Sequence, residues 1–189
     1  SGTISGEITA ETILTLKSLN AGNAINITIT SSEATSATAS DLNVINALTS
    51  GIVNLTNVTA LAESSFSDLE TLGTSIANSE FSNVTGLTTV AVSDTTIDAT
   101  ALAILIDSID AINGGSTTGM TLGSGAAINV DANEITHMLA DETAGRLTIS
   151  DQTITVTGPI TVDTANLLTA TTTGLVTATI QEKSLNSLA

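Results

Sequence analysis

The 189-residue chain has no cysteine, tryptophan or tyrosine, one proline (Pro159), and only two aromatic residues, Phe66 and Phe81. Without cysteine there is neither a disulfide framework nor a thiolate metal site. Without tryptophan or tyrosine the core must be aliphatic, and the aromatic platforms that carbohydrate sites use are missing. Cations are almost as scarce, because Lys17, Arg146 and Lys183 stand against 19 acidic residues for a net charge of −16. Phosphate contacts need lysine and arginine, so nucleic acid is excluded as a partner and an anionic membrane repels this surface. Long apolar runs are absent too. The longest, Ala99 to Ile106, is interrupted by Thr100 and ends at Asp107, well short of the roughly 20 residues of a span, so no membrane insertion is expected.

What is present is threonine, 36 residues of it, with abundant serine, alanine, asparagine and glycine. Threonine is β-branched and suits a pleated, half-exposed surface. The mean hydropathy of +0.39 separates the chain from disordered sequences, which are poor in apolar residues. An uncompensated acidic surface is best tolerated where salt screens its self-repulsion, which points outside the cell. The chain begins Ser1-Gly2 in mid-pattern and reads as an excised or processed fragment.

One pattern recurs six times: a cap residue followed by apolar residues four and seven positions later. The copies are Thr9 with Ile13 and Leu16, Thr38 with Leu42 and Ile45, Ser65 with Leu69 and Leu72, Asp98 with Leu102 and Leu105, Asp131 with Ile135 and Met138, and Asp163 with Leu167 and Ala170. Serine, threonine and aspartate accept an orphan amide proton of a first helical turn, and offsets of four and seven fall on one face. Each copy therefore predicts a short helix, too short to be stable alone. After it comes a turn, at Gly22, Ser50-Gly51, Gly114-Gly115, Ala144-Gly145 or Thr173-Gly174. In the third copy Gly73 follows the expected helix at once.

Alternating stretches come next: Ile25 to Ile29, Leu147 to Ile149, Ile154 to Val156, Ile160 to Val162 and Val176 to Ile180 in most copies, and Phe81 to Val84 and Val90 to Val92 in the third. Period two with one apolar face is a half-buried strand. A unit of this size cannot bury its own apolar face, so neighbours must stack. The expected architecture is a mainly β single repeat array, a β-solenoid with one short capped helix per repeat. Its units run approximately 8–36, 37–63, 64–96, 97–129, 130–161 and 162–189. The alternative is a β-sandwich whose regular turns mimic a repeat. Stacking would align outward polar residues such as Thr28, Thr148, Thr155, Thr157, Thr161, Thr177 and Thr179 in rows.

The stretch from Thr38 to Leu61, with its Thr38-Ala39-Ser40-Asp41-Leu42-Asn43 opening and Leu48-Thr49-Ser50-Gly51 close, resembles the tandem repeats of very large secreted and cell-surface proteins of bacteria, notably marine cyanobacteria. The likeness is one of style over all six units, clearest at 38–61 and 95–113. It implies a surface location, a length-spanning or coat-forming role and a possible dependence on calcium. The glycine-rich calcium nonapeptide is not seen, since Gly114-Gly115-Ser116 and Gly123-Ser124-Gly125 lack the following aspartate.

Candidate chemistry is sparse. His137 is the only histidine, so no histidine metal pair or Ser-His-Asp triad can form within the chain. The carboxylate pairs Asp107/Asp110, Asp131/Glu134 and Asp141/Glu142 are read as helix capping or solvated charge, with calcium as the competing reading because it takes oxygen ligands. Asn26, Asn54, Asn57 and Asn83 begin N-x-Thr sequons, which matter only in a glycosylating host. No catalytic or cofactor-binding residue is assigned and no metal ligand is identified; no cofactor is expected, calcium excepted. The expected function is a non-enzymatic structural module of an extracellular fibre, coat layer or adhesin stalk, associating with itself or with neighbouring repeats of its parent. The alternative is ice or ligand binding by a flat threonine face.

Overall fold

The computed structural model describes residues 4–112 and 119–181. Along them run β1 (Ser5–Glu11), α1 (Ile13–Leu16), β2 (Ala24–Ile29), α2 (Ala39–Leu48), β3 (Val53–Asn54), β4 (Ala60–Ser64), α3 (Phe66–Ala77), β5 (Phe81–Ser82), β6 (Thr89–Val92) and β7 (Thr96–Asp98). Then come α4 (Ala99–Ile112), β8 (Gly119–Leu122), β9 (Ala127–Asp131), α5 (Ile135–Thr143), β10 (Leu147–Thr148), β11 (Thr153–Ile160), α6 (Val162–Thr171) and β12 (Val176–Ile180). Helical and strand residues are comparable in number, so the chain is mixed α/β, not mainly β as expected.

The strands form three four-stranded sheets, ordered β1-β2-β3-β5, β4-β6-β8-β10 and β7-β9-β11-β12. Every pairing is parallel, so consecutive partners need long crossovers, and helices occupy them. Antiparallel hairpins, from which a β-sandwich is commonly built, do not occur among the described residues. Register aligns the apolar residues into ladders. Ile27, Val53 and Phe81 make one, Leu61, Val90, Met120 and Leu147 a second, and Ile97, Ile128, Ile154 and Val176 a third. All are buried except Val176, which is half-buried at the outer strand.

Against these ladders the helices lay the apolar residues the sequence marked for burial: Leu42 and Ile45, Leu69 and Leu72, Leu102 and Leu105, and Ile135 and Met138 are all buried. Thr38 and Ser65 accept the expected amide protons, from Asp41 and Asp68, and Asp98 accepts from Thr100 and Ala101. The other three caps differ. Thr12, not Thr9, caps α1, because β1 runs on to Glu11 and holds Thr9 in the sheet. Asp131 ends β9 and turns its side chain to the Asn133 amide, while Glu134 makes no capping bond, so the anticipated reciprocal cap is not formed.

Thr161, not Asp163, caps α6. The two-residue shift buries Leu168 completely and leaves Leu167, expected inside, 58% exposed and Ala170 exposed as well. Val162, expected to continue a strand, instead opens the helix and is exposed. Gly73 does not end α3 but lies within it, and Val84 belongs to a 3-10 turn (Val84–Gly86). Gly114-Gly115 lies outside the described residues.

Candidate functional site

Many of the polar side chains bond between strands and helices that lie about 20 to 40 residues apart in sequence. At the end of α2, the Thr49 hydroxyl donates to the Ile25 carbonyl at 2.6 Å and accepts the Ile25 and Gly51 amides, each at 2.9 Å. The end of α6 repeats much of this arrangement. There the Thr172 hydroxyl donates to the Gln152 carbonyl at 2.6 Å and accepts the Gly174 amide at 2.9 Å. The residue between joins in, since the Ser50 amide donates to Asn23 and the Thr173 amide to Ser150. A Cβ on Gly51 would overlap the Ile25 carbonyl, and one on Gly174 the Gln152 carbonyl. Thr-x-Gly is thus a clasp: the hydroxyl grips the backbone of the adjacent parallel strand segment, and the glycine lets the two backbones approach. Only its Ser50-Gly51 and Thr173-Gly174 halves were visible as turns in the sequence.

Other contacts of this kind are made differently. The Ser64 hydroxyl accepts the Ala39 amide at the start of α2, and the Asp94 carboxylate accepts the Phe66 amide at the start of α3. Asn43 on α2 donates to the Asp68 carbonyl on α3, and Asn46 donates to Glu80. Those bonds, from Asn46 and from Ser75, hold the Glu80 carboxyl below its usual range. The buried Gln152 donates to the Gly123 carbonyl at 3.0 Å. Sequon residues make the same kind of contact: Asn26 accepts the Ile52 amide, Asn57 donates to Ile29, and Asn83, at a left-handed φ of 55°, donates to Asn54.

Both described cations also bridge successive helices. Lys17, just after α1, meets Asp41 on α2 at 2.6 Å. Burial alone raises the Asp41 pKa, but hydrogen bonds from Lys17 and Thr38 and the Lys17 charge outweigh it and leave it lowered. Arg146, before β10, ion-pairs with the fully buried Asp141 of α5 and reaches Asp107 of α4 at 3.3 Å. His137 Nε2 lies 3.9 Å from Asp141 Oδ2, and that buried oxygen accepts no hydrogen bond. Burial pushes the Asp141 pKa up, more than the charges of Arg146 and His137 draw it down.

Of the sequence-derived carboxylate pairs, the structure uses Asp107 and Asp141 together through Arg146, which the pairs as written did not join. The Asp110 side chain lies outside the described residues. No group of three His, Cys, Asp or Glu side chains close enough to hold a metal occurs among the described residues. A groove of about 850 Å³ runs between the end of α3 and Ile104 and Leu105 of α4, and Glu70 is the one ionisable side chain in its described lining. Compared with known proteins, the chain matches no family model, no curated protein and no solved structure.

Proposed function

We propose that the chain is a β-solenoid of stacked helix-and-strand units with a helical edge, serving as a structural module of an extracellular surface fibre, coat layer or adhesin stalk. One observation carries this reading: a recurrent set of polar bonds joins residues about one expected unit apart. The Thr-x-Gly clasps, the asparagine bonds and both described cations join residues about one unit apart in sequence. Such an array gains stability with each added neighbour. Its partners are further copies of itself or neighbouring repeats, and no reaction is assigned to it.

The threonine-face alternative is less well supported. The row Thr28, Asn54 and Ser82 is mixed, and Thr28, expected to face outward, is buried; the row Asp98, Asn129, Thr155 and Thr177 holds only two adjacent threonines. Fibre diffraction from the oriented parent protein tests the proposal. Stacked units place a reflection near 4.7–4.8 Å, the strand spacing, along the long axis; a compact particle without that spacing overturns it.

A further inference from the structure

We draw no further inference here: the strongest candidate, the groove of about 850 Å³ between the end of α3 and Ile104 and Leu105 of α4, carries none, because the chain leaving α4 at 113–118 is outside the described residues and nothing in the structure shows what covers the groove.

Discussion

At the scale of single residues, the scarcity of cations makes each one consequential. Arg146 compensates Asp141, which is wholly buried. Removing one partner of a buried pair leaves the other charge stranded, at a cost of about 3 kcal/mol. Arg146→Ala should lower stability by about that much in urea titrations, and adding Asp141→Asn should recover part of the loss. The pH dependence follows from the directions of the shifts. Asp141 has a folded pKa above the ordinary aspartate value of 3.8, so its folded form takes up a proton first. Its contribution to stability therefore grows as pH falls from neutral toward 3.8.

Asp41, Glu80 and Asp151 are shifted the other way; for Asp151 the Ser124 hydroxyl is the leading cause. What they contribute is complete above their ordinary values of 3.8, 4.5 and 3.8, and is lost as pH falls through their lower folded values. Urea midpoints from pH 7 to 3 should hold or rise slightly at first and then fall below about pH 4. Asp141→Asn should remove the early rise and keep the fall. A wild-type midpoint that declines steadily from pH 7 would contradict the assignment.

Within elements, the cap decides which apolar residues face inward. Counted from Thr161, the seventh residue is Leu168, fully buried, and Leu167 points outward. Leu168→Ala should cost about 3 kcal/mol as a cavity mutation, and Leu167→Ala should stay within about 0.5 kcal/mol. Equal losses at the two positions would place the cap elsewhere. Glycines separate in the same manner. A Cβ at Gly51 or Gly174 meets a backbone carbonyl, but one at Gly73, inside α3, meets nothing within 4 Å. Gly51→Ala and Gly174→Ala should each destabilise by at least about 2 kcal/mol. Gly73→Ala should stabilise by about 0.5–1 kcal/mol, because alanine restricts the unfolded chain and favours a helix. Thermal melts of the three variants would distinguish the clasp from a simple turn, which would tolerate all of them.

For the molecule as a whole, most of the packing joins segments distant in sequence. The three ladders and the clasps all join residues distant in sequence. With no cation assigned to hold them, excess chelator is expected to leave the melting temperature unchanged. A drop of several degrees would show that a cation bound to the folded state contributes to its stability.

The caps of α2, α3 and α4 with their buried residues four and seven positions on, the aliphatic core and the alternation of Ile25 to Ile29 and Ile154 to Val156 were legible in the chain, because each depends on residues within one or two turns of one another. The balance between helix and strand was not, since α3 runs past Gly73 and strands such as β3 and β10 shrink to two residues where crossovers dominate. Thr9 and Asp163 were plausible caps on local grounds, and only pairing of β1 with β2 and of β11 with β12 moved the helix starts to Thr12 and Thr161. The Thr-x-Gly clasp and the Asp107–Arg146–Asp141 bridge were invisible for the same reason. Local pattern determined which faces are apolar; parallel register between distant strands decided which polar groups meet.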